Sequence, residues 1–327
     1  MTERVRFGVL GCAAIAVNKV IPAMVRSTEC EIVAIGSRDA DRAADVARQF
    51  GIARSHGSYD AVLTDPAVEA VYIPLPNHLH APWTMRAADA GRHVLCEKPI
   101  ALDVAEATAM AERCADAGVL LMEAFMYRQH PLWLRTYDLV AGGAIGELRA
   151  IQARFTYHNV DPDNIRNVAE YGGGAVMDIG CYPINVARWF FGSEPTEVLA
   201  SVRRDPRFGT DVLTSAVLDF DGRQATFVCS TQLEPDQRVH LLGTTGRLEV
   251  EIPFNIPPDR PTRVVLASGG DPPVAPGLTV HELAACDAYT AQADAFGRAV
   301  RAGGPAPVPS SDAIANLRVI ERILAAG

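Results

Sequence analysis

The chain has no long apolar run. No stretch approaches the roughly 20 apolar residues that a membrane-spanning helix needs. The N-terminus, MTERVRFGVLGC, lacks the basic start and apolar core of a secretory signal. Basic charge is also short: the formal net charge is −9, which argues against a nucleic-acid or anionic-membrane partner. The seven cysteines are odd in number, scattered and without metal-finger spacing. They read as small core residues of a protein in a reducing, cytoplasmic setting. His78 and His80 are close together, but no cysteine or acidic residue stands at ligand spacing, so no metal is expected.

What is present is an alternation of short apolar strands and helices. Arg4 to Leu10 reads as a strand that runs into Gly11-Cys12-Ala13-Ala14-Ile15-Ala16, with a helix through Asn18 to Arg26. Gly11 allows a tight turn, a small residue at 13 lets backbone approach a pyrophosphate, and Ala16 permits close helix–strand packing. Glu31 to Gly36 is a second strand, ending at Ser37-Arg38-Asp39. NAD enzymes usually carry an acidic residue there for the ribose hydroxyl; Ser37 and Arg38 suit a 2′-phosphate instead, and Asp39 suits a helix N-cap. NADP is therefore expected in preference to NAD.

Val68 to Ile73 is a third strand, followed by the polar loop Pro74-Leu75-Pro76-Asn77-His78-Leu79-His80. HVLCEKPI, from His93 to Ile100, is a buried strand that stops at Glu97, Lys98 and Pro99. In open α/β sheets ligands bind at the carboxyl ends of strands, so Lys98 is expected at a cofactor site. The alternation implies a doubly wound parallel sheet of the Rossmann type.

The second half differs. A helix is expected at Pro131 to Ala141 and a strand at Leu148 to Tyr157, then a polar loop containing Asn164-Ile165-Arg166. Tyr171-Gly172-Gly173-Gly174 opens AVMDIGCYPINVARWFFG, whose apolar spacing is helical and which Pro183 should distort. Asp178 and Tyr182 share one face of that helix. Strands at 196–203, 211–220, 224–232, 237–242, 248–252 and 263–267 suggest a broad antiparallel sheet, with loops at 254–261 and 269–277. Helices are expected at 287–302 and, capped by Ser310 or Ser311, at 313–325.

GVLGCAAIA, PLPNHLHA, AGRHVLCEKPIA, LMEAFMYRQHP and NIRNVAEYGGGAVMDIGCYPIN follow one another over nearly the whole chain. Together they resemble the glucose–fructose oxidoreductase / inositol dehydrogenase / MocA family. The wording is most similar to the branch of NADP-dependent aldose (D-xylose) 1-dehydrogenases and dihydrodiol dehydrogenases. Inositol-type members carry His where this chain has Tyr182. The resemblance implies an NADP-binding Rossmann domain at 1–125. It also implies a substrate-binding and oligomerisation domain at 126–327, whose large, mostly antiparallel open sheet often packs on a second subunit. A homodimer or higher homo-oligomer follows.

The expected reaction is hydride transfer between NADP(H) and a CH–OH or carbonyl of a sugar or diol. A nucleotide-linked ketosugar reductase is the alternative enzyme, and a non-catalytic dinucleotide sensor the alternative class. Lys98, Tyr182 and Asp178 are the expected catalytic residues: an ammonium near the phenol favours the phenolate, making Tyr182 usable as a base. The expected cofactor set is Gly11, Cys12, Ala13, Ala14, Ile15, Ser37, Arg38, Pro74, Leu75, Asn77, His80, Glu97, Lys98 and Arg128. The expected substrate set is Lys98, Arg166, Asp178 and Tyr182.

Overall fold

A computed structural model describes residues 3–269 and 277–326, and the chain divides into two compact units. The first comprises Met1–Met126 and Asp287–Ile314. Its sheet is built from β1 (Val5–Leu10), β2 (Cys30–Gly36), β3 (Arg54–His56), β4 (Ala70–Ile73), β5 (His93–Cys96) and β6 (Leu121–Glu123). The order is β3-β2-β1-β4-β5-β6, with every pair parallel. Such strands are covered on both faces, which explains why β4 and most of β1 and β5 are continuously buried. The chain direction of crossover reverses between β1 and β4, and the crevice above such a switch point is where a dinucleotide binds.

The helix after β1 begins at Ala14, earlier than the sequence suggests. It passes through a widened turn at Ala16–Val20 before α1 (Ile21–Val25). Helices α2 (Ala40–Phe50), α3 (Tyr59–Leu63), α4 (His80–Asp89) and α5 (Val104–Asp116) follow. Asp39 caps α2 as expected, accepting the Arg42 N–H at 3.0 Å.

The second unit comprises Tyr127–Cys286 and Ala315–Gly327. After α6 (Pro131–Ala141) comes β7 (Leu148–His158), then α7 (Cys181–Phe191) and seven strands. These are β8 (Glu197–Arg204), β9 (Asp211–Asp219), β10 (Gln224–Ser230), β11 (Gln232–Gly243), β12 (Gly246–Val250), β13 (Thr262–Ser268) and β14 (Gly277–Leu283). The sheet order is β14-β13-β12-β11-β7-β10-β9-β8; only β7 and β10 run parallel. Neither β3 nor β14 was legible in the sequence. The loop expected at 269–277 falls largely on residues 270–276, outside the described residues. One face of the sheet carries the cross-strand row Leu199, Val217, Thr226, Gln152 and His240. Leu199 is 56% exposed and Leu233, on β11, 43% exposed.

Two helices close the chain. Helix α8 (Ala288–Ala302) belongs to the first unit and is capped by Asp287, whose carboxylate accepts from Tyr289 N at 2.9 Å. Phe296 on α8 packs on Phe7 of β1 with ring centroids 6.0 Å apart, and both rings are fully buried. Burying a phenylalanine contributes about 1.5–3 kcal/mol, so this late helix is an integral part of the first core. Helix α9 (Ser310–Ala325) starts at Ser310 itself rather than at Ala313.

Candidate active site

In the first unit, β1 ends at Gly11, whose φ is +121°, a conformation that favours glycine. A Cβ there would stand 3.1 Å from Leu75 Cδ2 and 3.7 Å from Tyr59 Oη, so the turn packs closely against those two side chains. Cys12 and Ala13 complete the turn, and Ala14 and Ile15 open the helix; Val17 N–H bonds back to Ala13 O at 3.0 Å. The turn therefore has the strand–glycine–helix geometry of a pyrophosphate cradle, with helical N–H groups at its mouth.

Ser37 is buried and Arg38 exposed at the end of β2. Ser37 Oγ accepts from Asp39 N at 3.2 Å. Arg42, one helical turn beyond Arg38, donates from Nη2 to Cys12 O at 2.7 Å. It thereby brings a guanidinium from α2 to the phosphate turn. Sequence reading missed Arg42; its place in the first turn of a helix that Asp39 caps was the available signal. Burial raises the Cys12 thiol pKa, with Arg42 opposing it. These donors fit a 2′-phosphorylated dinucleotide.

Pro74 and Leu75 are buried at the end of β4, and Asn77 begins a single helical turn to Leu79. His80 departs from expectation. It is fully buried, with Nδ1 2.9 Å from Pro99 O and Nε2 2.7 Å from Leu75 O. Both ring nitrogens face carbonyls of the protein, so His80 ties two loops together instead of reaching a cofactor. Burial, helped by the Lys98 ammonium, pushes its pKa down to about 4, against the two carbonyl contacts, which favour a ring with an N–H on each nitrogen.

Lys98 stands on a turn held from several sides. Glu97 Oε1 accepts from Tyr72 O–H at 2.7 Å, and Glu97 Oε2 from Lys98 N–H at 3.3 Å. Pro99 O is met by His80, and Ile100 N–H donates to Glu123 Oε1 at 2.8 Å. The Lys98–Pro99 peptide is cis. Tyr72 and Glu123 are buried side chains that the sequence did not single out.

In the second unit, Gly172–Gly174 have a definite purpose. A Cβ on Gly173 would stand 2.5 Å from Arg166 O and 2.8 Å from Val168 O. Gly173 N–H bonds to Val168 O and Gly174 N–H to Arg166 O. The loop carrying Arg166 is thus laced to the start of the site helix. That helix has a widened turn over Val176–Gly180 and then α7, the distortion expected where Pro183 cannot bond to residue 179. Asp178 lies on the widened turn. Its Oδ2 accepts from Arg166 Nε at 2.8 Å and from Tyr157 O–H at 2.6 Å. Tyr182, on α7, is boxed by Phe155, Phe254 and Tyr127, with ring centroids 5.5, 4.9 and 5.8 Å away. Arg128 donates to Asn185 Oδ1 at 3.1 Å and stacks over Trp189 at 4.2 Å, so α7 organises it too. Among the described residues no group of His, Cys, Asp and Glu is arranged to hold a metal.

A family model described as "Oxidoreductase family, NAD-binding Rossmann fold" matches residues 5–125, and the "GFO/IDH/MocA C-terminal domain" model matches residues 133–249. The chain belongs to the GFO/IDH/MocA oxidoreductase family. It is 50% identical over 323 residues to an uncharacterized oxidoreductase of Rhizobium meliloti, covering 98% of this chain and 96% of that one. It is 40% identical to the D-xylose 1-dehydrogenase (NADP(+)) 2 of Haloferax volcanii, covering 97% and 95%. Among solved structures, the 3-ketoreductase from Actinomadura kijaniata with NADP and TDP-benzene superposes with a TM-score of 0.91 at 33% identity, covering 99% of this chain and 98% of that one. That ketoreductase has also been solved with a lysine changed to alanine and with a tyrosine changed to phenylalanine. Those two positions are separated by the same number of residues as Lys98 and Tyr182.

Proposed function

We propose that this protein is an NADP-dependent dehydrogenase of a sugar or diol, acting at a CH–OH group in the manner of an aldose 1-dehydrogenase. The observation that carries the reading is the Arg42 guanidinium on Cys12 O of the phosphate turn, together with a second-strand end that carries Ser37 and an exposed Arg38 and no carboxylate at either position. The D-xylose dehydrogenase relative, with NADP(+) in its name, supports it. The bound nicotinamide supplies or accepts the hydride. The residues of this chain handle the rest: Gly11–Ile15 seat the pyrophosphate, Ser37, Arg38 and Arg42 the 2′-phosphate. Pro74, Leu75, Asn77, Glu97 and Arg128 complete the cofactor set. Tyr182 carries the proton of the reacting hydroxyl, with Lys98 steadying that oxygen. Asp178 and Arg166 belong to the substrate side. The first unit serves mainly the cofactor, with Lys98 reaching the substrate; the second, Arg128 apart, serves the substrate and association between copies.

Reduction of a nucleotide-linked ketosugar is the second reading, favoured by the match to the 3-ketoreductase. The sheet face bearing Leu199, Val217 and Leu233 supports a homodimer through the second unit. The six buried cysteines suit a reducing cytoplasm.

The test is reduced-nicotinamide absorbance with NADP, then NAD, against a panel of aldoses, ketoses and dihydrodiols, with the reverse reaction on a nucleotide-linked ketosugar. Oxidation of an aldose with NADP preferred is the expected result. No turnover of any substrate in either direction overturns the enzymatic reading.

A further inference from the structure

Asp178 has two donors on one oxygen, and both come from outside its own helix. Tyr157 reaches it from β7, two residues after Phe155 on the same face of the strand. Arg166 reaches it from the loop that Gly173 and Gly174 lace down. That loop is ordered from within. Asn164 Oδ1 accepts from Arg166 N at 3.1 Å, and Asn167 donates to Asp161 O at 2.8 Å and to Asn159 Oδ1 at 3.3 Å. A solvated loop would not need this lacing. The guanidinium therefore arrives with little freedom left to lose on making its bond.

A carboxylate oxygen that accepts both a phenol and a guanidinium N–H is committed as an acceptor. Arginine never gives up its proton in proteins, so the Nε–H is always present. Placing a proton on Asp178 would set a neutral acid against the half-exposed Arg166 cation and break a charge-assisted bond. The surroundings agree. The Tyr157 hydroxyl is held protonated by burial and by the Asp178 charge. Arg166 is driven further toward its cation by that same charge. Cys229 of β10 is a neutral buried thiol, raised by desolvation. Asp211 of β9 is occupied by the Val176 N–H and by Thr214. Tyr182 is the further titratable group that bears on Arg166.

We propose that Tyr157 and Arg166 are positioning residues that hold Asp178 as an aimed carboxylate, making it the acceptor for a non-reacting substrate hydroxyl and excluding it as the proton carrier. This rests on the sugar-dehydrogenase reading and assigns to that site a substrate with a second hydroxyl beside the reacting carbon. Sugars and vicinal diols qualify; simple alcohols do not.

The experiment uses the full chain with NADP, D-xylose and its single-deoxy analogues. Tyr157→Phe and Arg166→Met are expected to raise KM for D-xylose about tenfold to a hundredfold, the loss of a hydrogen bond to a charged group. kcat should change far less, and Arg166→Lys should recover part of the loss. With one deoxy analogue, the one lacking the hydroxyl that Asp178 receives, the Tyr157→Phe effect should vanish. An equal effect on every analogue, or a fall in kcat at constant KM, overturns the proposal. A second measurement needs no turnover: the infrared difference between wild type and Asp178→Asn at neutral pH. A carboxylate band is expected for Asp178. A carboxylic-acid carbonyl band overturns the proposal even if no sugar is oxidised. A carboxylate band without oxidation of any sugar would instead remove the substrate reading alone.

Discussion

Asp211 on β9 reaches the start of the helix that carries Asp178 and Tyr182. Its Oδ2 accepts the Val176 N–H at 2.8 Å, and its Oδ1 fills the place a Cβ on Gly174 would take. The helix start is thus capped by a residue far along the chain, and the cap fits only because residue 174 is glycine at a φ of +118°. Gly174→Ala must both strain the backbone and displace the cap. The expected loss is about 1–3 kcal/mol of stability for the backbone alone, read as a lower urea midpoint. Unchanged unfolding would show that the cap does not set the helix start.

Lys98→Met and Tyr182→Phe separate binding from chemistry. Each should lower kcat, Tyr182→Phe by about 10²–10⁴-fold as for a lost general acid–base. NADP affinity, measured by fluorescence titration, should stay within a few-fold for Tyr182→Phe. Full turnover by Tyr182→Phe with an unchanged pH profile would move the proton to another group.

Arg38→Ala and Arg42→Ala address cofactor choice. Each guanidinium lost from a 2′-phosphate should weaken NADP binding by about tenfold to a hundredfold, the loss of a charge-assisted hydrogen bond. NAD binding should change little, so selectivity and not general affinity falls. The titration of both dinucleotides against both variants distinguishes the two.

His80 predicts an acid limb in stability. Its pKa in the folded protein, about 4, lies below the ordinary histidine value of 6.5. The unfolded chain therefore binds a proton across that window that the folded chain does not. Stability is complete above the unfolded pKa and falls as pH drops from about 6.5 toward 4, by about 3 kcal/mol at most. Urea midpoints across that range should slope for wild type and flatten for His80→Gln, whatever the variant's stability at neutral pH.

The parts of the site written in one stretch of sequence were readable. The Gly11 turn, the strand end at Lys98 and the Gly172–Gly174 run each announce themselves through local backbone needs. The supports were not readable, because their partners are distant in the chain. Tyr72 reads as one more apolar strand residue until its hydroxyl is seen on Glu97. Tyr157 reads as the end of an alternating strand until it meets Asp178. His80 misled for the opposite reason: a polar residue in a loop at a strand end suggests a ligand contact, and only its burial shows the protein to be its partner. The strands β3 and β14 lie at sheet edges, are short or exposed, and lack the apolar pattern that marks interior strands.

Helix α8 gives the first unit a history in time as well as a shape. Phe7, Val5 and Cys30 belong to a core that Phe296 and Ala293 help to close. On a ribosome adding about 5–20 residues each second, the β1 side of the nascent sheet waits roughly ten to thirty seconds after β6 emerges before its cover is made. During that interval an incomplete nucleotide-binding unit presents an oily patch to the cell, and guarding it falls to chaperones or to speed of synthesis.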